Sequence, residues 1–128
     1  MARNRTIVPG FWTSEQVVSV KPVARLLFLG LVSNADDDGR LKGSPAYLRM
    51  VVFPSDRLSE TRIQAMRDEL VSAGLIKVYQ DENGNDLIWI PTWHKHQSIN
   101  RYYKSQLPKH PEDTDEWKYT KRSKPKPI

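Results

Sequence analysis

The 128-residue chain has no cysteine, which excludes a disulfide framework and thiolate metal sites and fits a reducing compartment. No apolar run approaches the ~20 residues of a membrane span. The start, Met1-Ala2-Arg3-Asn4-Arg5, lacks the apolar stretch of a signal peptide, so a cytoplasmic location is expected. The six glycines are scattered singly, which leaves no phosphate-cradling loop and no support for ATP use. A nucleophile with its base would need a Ser or Thr, a His and an orienting acid brought together, and the only histidines are His94, His96 and His110. His94 and His96 would share a face of an extended segment, but no third metal ligand is evident near them. Asp36-Asp37-Asp38 also invites a metal, yet the spacing is not that of an EF-hand and no glutamate closes a twelve-residue loop. A capped turn is the expected role of these aspartates. Catalytic residues, resident metals and cofactors are therefore not expected.

With 38% apolar residues the chain can build one modest core, that is, one domain with a tail. The net charge of +5 suggests a polyanionic partner, but its placement says more than its total. Residues 1–35 carry a net +3, residues 36–90 a net −3 and residues 91–128 a net +5. A grip on phosphates is expected at the two ends rather than in the middle.

Residues 59–93 hold the most informative pattern. Ser59 can cap a helix whose apolar positions Ile63, Met66, Leu70 and Ala73 recur three and four apart, with Gly74 as its stop. Two strand-like runs follow, residues 75–80 and 86–90, joined by Asp81-Glu82-Asn83-Gly84-Asn85, where Asn83-Gly84 can supply the positive φ angles of a hairpin turn. Upstream, Thr13 or Ser14 opens a short helix. Pro22 starts a second one whose residues Val23, Leu26, Leu27, Leu29, Leu31 and Val32 are apolar almost all round, predicting burial on every side. Arg40-Leu41-Lys42 reads as a short strand, and Ser44-Pro45 opens a third helix. Phe11 and Trp12 are expected to pack on the domain.

The order predicted is α-α-β-α-α-β-β, an α+β winged helix-turn-helix with a basic C-terminal extension. Residues 1–13 would form an arm, 14–93 the domain, 94–107 a basic and aromatic strap, and 108–128 a flexible tail rich in proline and lysine, with Trp117 and Tyr119 as its anchors. The strap has two readings. Basic and aromatic side chains interleave as in segments that bind nucleic acid, or Trp93 and Tyr102 simply staple the strap to the domain.

Six segments carry a resemblance beyond pattern. They are the opening Ala2-Arg3-Asn4-Arg5-Thr6-Ile7-Val8-Pro9-Gly10-Phe11-Trp12-Thr13-Ser14-Glu15, the helix Ala24-Arg25-Leu26-Leu27-Phe28-Leu29-Gly30-Leu31, Ala35-Asp36-Asp37-Asp38-Gly39-Arg40-Leu41, Phe53-Pro54, Ala73-Gly74-Leu75-Ile76, and Ile90-Pro91-Thr92-Trp93-His94-Lys95-His96-Gln97-Ser98-Ile99-Asn100-Arg101. In this order and spacing the chain resembles, from Ala2 to about Leu107, the N-terminal domain of phage and prophage replication-initiation proteins, the replisome-organiser or DnaD-like group. The resemblance implies a winged helix that binds origin DNA and helps to recruit a host helicase or its loader.

On this reading Thr61, Arg62, Gln64, Ala65 and Asp68 face base edges. Arg3, Arg5, Lys77, Asn83, Asn85, Lys95, Arg101 and Lys104 hold the backbone, and Tyr102 and Tyr103 stack on bases. Duplex DNA is the expected ligand, and no membrane partner is expected. The alternative is a protein-interaction module that docks on a host replication or defence protein, or forms a homodimer by exchanging the apolar arm at residues 7–12.

Overall fold

The computed structural model describes residues 3–114. A single 3-10 turn at Pro9–Thr13 leads into α1 (Glu15–Val18), α2 (Pro22–Asn34), β1 (Arg40–Lys42), α3 (Pro45–Val52), α4 (Glu60–Ser72), β2 (Lys77–Gln80), β3 (Asp86–Trp89) and α5 (Trp93–His96). The strands form one antiparallel sheet in the order β1-β3-β2. The result is an α+β domain whose element order is compatible with a winged-helix layout. None of the described helices is long and apolar enough to cross a membrane.

Local chemistry sets the helix ends. The Ser44 hydroxyl accepts from the Tyr47 N–H at 3.2 Å, and the Ser59 hydroxyl from the Arg62 N–H at 3.1 Å, each satisfying an orphan donor of the first turn. Pro22 occupies the first turn of α2, where a missing N–H costs nothing. The preceding Lys21 N–H donates to Glu69 Oε1 at 2.6 Å, which ties the start of α2 to α4. The helix α4 closes where Gly74 takes φ 78° and the Leu75 N–H returns to the Leu70 carbonyl at 3.1 Å.

Leu27 and Leu31 of α2, Leu48 of α3, and Ile63 and Leu70 of α4 are fully buried together with Ile76, Ile88 and Trp93. The sheet closes this core through one of its faces. In register, Leu41 lies opposite Ile88 and Ile88 opposite Val78; Leu41 and Ile88 belong to the core and the partly buried Val78 packs against it. The other face therefore carries Arg40, Trp89 and Lys77 in one row and Lys42, Leu87 and Tyr79 in the next.

That second face is covered as well, by residues 107–113. Arg40 donates to the Leu107 carbonyl at 2.9 Å and pairs with Asp113 at 3.1 Å. His110 stacks on Trp89 with ring centroids 5.1 Å apart and meets Tyr79 edge-on at 5.3 Å. The Tyr79 hydroxyl donates to the Pro108 carbonyl at 2.6 Å, and Lys77 pairs with Glu112 at 2.9 Å. The flexible tail expected from residue 108 thus does not begin there, because its first residues form the outer layer of the sheet. Trp117, Tyr119 and the basic run of the tail lie outside the described residues.

Two further expectations need correction. The helix α2 is not buried all round: Val23 and Leu26, one turn apart, are 40% and 53% exposed, because neither the sheet nor the other helices reach that side. The turn between β2 and β3 does not use positive φ at Asn83. Among its residues only Gly84 adopts it, at 81°. Its geometry comes from the Asp81 carboxylate, which accepts from the Asn83 and Asn85 N–H groups at 2.9 Å each and from the Asn85 amide at 3.1 Å. Those bonds hold the Asp81 carboxyl below its ordinary range, with Asn85 the main cause.

Candidate nucleic-acid interface

The helix α4 divides cleanly. Ile63, Met66, Arg67 and Leu70 are buried, whereas Thr61, Arg62, Gln64, Ala65 and Asp68 are exposed and share the opposite face. Among the described residues, the arm and the extension make their hydrogen bonds, ion pairs and ring contacts elsewhere and leave that face open. Arg67 explains how the helix is seated: its Nη1 donates to the Gly43 carbonyl at 2.7 Å and to Asp86 Oδ2 at 2.8 Å. The guanidinium joins α4 to the turn before α3 and to the first residue of β3, and it holds the Asp86 carboxyl below the usual carboxylate range. On α4 itself the open face carries Arg62 beside Asp68, while Glu60 at the helix start faces the exposed Arg49 of α3 at 3.7 Å, so shape rather than charge distinguishes it.

The expected backbone contacts are not brought to one place. Asn83 and Asn85 are exposed at the hairpin tip, with Asn85 already engaged by Asp81. Lys77 lies on the outward face of the sheet beside Glu112, away from the tip. Lys95, Arg101 and Lys104 are exposed along the strap, and Arg101 takes φ 55°.

The arm is not a loose basic strand. Arg3 donates to Asp37 Oδ2 at 2.8 Å, to the Asn100 carbonyl at 2.7 Å and to the Arg101 carbonyl at 3.2 Å. The Arg5 side chain is only 4% exposed. Its guanidinium pairs with Asp37 Oδ1 at 3.0 Å, donates to the Ala35 carbonyl at 2.9 Å and lies 4.8 Å from the centre of the Trp93 ring. A second tie runs between the Thr6 backbone and the Gln97 amide, which exchange two hydrogen bonds of 3.0 and 2.8 Å. A buried carboxylate needs a charged partner, so Arg5 is committed to the fold and Arg3 largely so.

The three aspartates turn out to organise the N-terminal arm and the strap. Asp36 Oδ1 accepts from the N–H groups of Asp38 and Arg40, which makes the turn that sequence chemistry predicts. Asp37 receives the arm and also the Tyr103 N–H at 3.0 Å. Asp38 receives the Tyr102 hydroxyl at 2.7 and 2.8 Å and the Ser105 N–H at 2.9 Å, while the Ser105 hydroxyl donates to Asp36. Beneath this cluster the Trp93 indole N–H donates to the Asp37 carbonyl at 2.9 Å, and Trp93 is held against Gly39, where φ is 75° and a Cβ would stand 2.6 Å from the ring. Of the two expected stacking residues, Tyr102 is thus a staple and Tyr103 remains 65% exposed. One of the two sequence readings has Trp93 and Tyr102 stapling the strap; that the three aspartates receive them, together with the arm, in one clasp was missed, although a signal existed: an acidic centre between two basic ends.

His94 and His96 sit on α5, and among the described residues no three metal-ligating side chains converge. No family model, no curated protein and no solved structure matches this chain.

Proposed function

We propose that the domain is a winged helix-turn-helix and that the protein is a non-catalytic, cytoplasmic DNA-binding protein acting in phage or prophage replication initiation. The observation that carries this reading is the open outer face of α4, exposed at Thr61, Arg62, Gln64, Ala65 and Asp68 beside the exposed hairpin tip. In this geometry α4 enters the major groove of a duplex, the tip at Asn83 follows the backbone, and Lys95, Arg101 and Lys104 bind phosphates. Recruitment of a host helicase or its loader follows from the resemblance to replication-initiation proteins.

Fluorescence anisotropy with duplex DNA at two salt concentrations tests this. Replacing Lys95, Arg101 and Lys104 by alanine should weaken binding to all sequences and flatten the salt slope by ~0.9 for each phosphate no longer neutralised. Replacing Arg62 and Gln64 should cost ~1–3 kcal/mol for each base contact and relax specificity. Absence of salt-dependent duplex binding at micromolar protein refutes the reading.

One observation favours a second reading. Trp12, Val18, Val23 and Leu26 are exposed apolar side chains on the arm, α1 and α2, a composition suited to contact with another protein or a second copy. A dimer by light scattering that Leu26→Glu dissociates would support this.

A further inference from the structure

We infer that the cleft between the β1–α3 region and the strap holds an unpaired nucleotide of single-stranded nucleic acid, an inference that rests on the nucleic-acid role proposed above but not on α4. The cleft has a volume of about 640 Å³ and lies among residues 34–47 on one side and 103–107 on the other, within the ~300–1,000 Å³ usual for small-molecule sites.

Its floor is largely engaged within the protein, with Arg40 Nε and Asp37 Oδ1 as buried atoms that have no hydrogen-bond partner among the described residues. Asp36 is taken up by the N–H groups of Asp38 and Arg40 and by the Ser105 hydroxyl; Asp37 faces Arg3 and Arg5; Arg40 faces Asp113. Around its rim stand Lys42 and Tyr47 on one side and Tyr103 and Lys104 on the other. Both lysines are exposed. Tyr103 is 65% exposed and is met by the Arg3 guanidinium 5.8 Å from its ring centre, which gives the ring a cationic backing. Tyr47 is half-buried, and its hydroxyl has no hydrogen-bond partner among the described residues.

Two aromatic rings and two ammonium groups on one rim match a base and its flanking phosphates. The base must be unpaired. Inside a duplex both faces of a base are covered by its neighbours, so a ring in a cleft can stack only on a base that has left the stack. Lys42 and Lys104 neutralise the phosphates on either side, and the Tyr47 hydroxyl and Gln106 amide offer hydrogen bonds to a base edge.

The test uses the full chain and a fluorescein-labelled oligothymidylate of about twelve nucleotides, within the length one such site spans, beside a duplex of equal length. Tyr103→Ala, at an exposed position, should weaken oligothymidylate binding about 5- to 100-fold and leave duplex binding unchanged. Lys42→Ala should lower the single-strand salt slope by ~0.7, and Tyr47→Phe, which keeps the packing, should weaken binding less than Tyr103→Ala. Circular dichroism checks that each variant is folded. Wild-type oligothymidylate affinity in both Tyr103→Ala and Lys42→Ala overturns the inference, as does absence of oligothymidylate binding alongside normal duplex binding. Oligothymidylate binding that depends on Tyr103 without any duplex binding would instead refute the role of α4 and uphold the cleft.

Discussion

Replacing Asp37 by asparagine keeps the shape of the side chain and removes the charge on which the N-terminal arm and the strap converge. The carboxylate is 1% exposed and faces two guanidinium groups, Arg3 at 2.8 Å and Arg5 at 3.0 Å, as well as the Tyr103 N–H at 3.0 Å. The two arginines are not equivalent. Arg3 is 30% exposed and can turn toward water, so its pair with Asp37 contributes at most ~1 kcal/mol. Arg5 is 4% exposed, and without Asp37 its charge stays buried against a carbonyl and an indole ring. Leaving one member of a buried pair uncompensated costs ~3–5 kcal/mol. If the new amide turns its oxygen to Tyr103, its NH₂ then opposes a guanidinium N–H, so rotation recovers little.

The expected loss for Asp37→Asn is therefore ~3–5 kcal/mol, read as a lower urea midpoint at neutral pH. In a domain of this size that is a fall in Tm of at least ~12 °C. Adding Arg5→Met to Asp37→Asn should recover most of the loss, since an apolar side chain of similar volume carries no charge to desolvate. A loss below ~1 kcal/mol, or a double variant no more stable than the single one, would refute the claim that this buried pair holds the arm.

Two pH experiments probe other ties. Arg67 and the neighbouring Gln80 hold the Asp86 carboxyl below its ordinary value, so this contribution to stability is complete above the unfolded-state value of ~3.9 and is lost as pH falls through the lower folded value. Urea midpoints should be level down to about pH 5 and then decline, with a shallower decline in Asp86→Asn; identical acid profiles would refute the assignment. Burial beneath the extension pushes the Tyr79 hydroxyl up to about 12. Its stabilising effect should be complete below the unfolded-state value of ~10 and vanish as pH rises through the folded value. Tyrosinate absorbance should show a late-titrating group that Tyr79→Phe removes, and its persistence in that variant would place the late group elsewhere.

Legibility in the sequence follows the reach of each interaction. The Ser59 cap, the Ile63, Met66 and Leu70 stripe and the stop at Gly74 rest on interactions within one or two turns, so spacing alone predicts them. The exposed face of α4 follows from the same periodicity. The clasp does not: Arg3 meets Asp37 across 34 positions, and Tyr102 meets Asp38 across 64. The covered outer face of the sheet has a local sign, the unbroken apolar run Leu87-Ile88-Trp89-Ile90, which is the pattern of a strand buried on both faces rather than one. The surroundings of Lys77 have no such sign, since its residue type says nothing about Glu112 lying across it.

By itself, then, the amino-acid order determined α1 to α4, the hairpin and which side of α4 faces outward, because periodicity, caps and turn residues act over a few neighbours, whereas α5 at Trp93–His96 was not among the elements it predicted. Only the tertiary structure decided where the charges went. The basic arm, expected as a free grip on phosphate, is drawn onto Asp37, and residues 107–113 are drawn across Arg40, Trp89 and Lys77. A buried carboxylate or guanidinium takes its partner from whatever part of the chain folding brings within reach, and separation along the sequence places almost no limit on that choice.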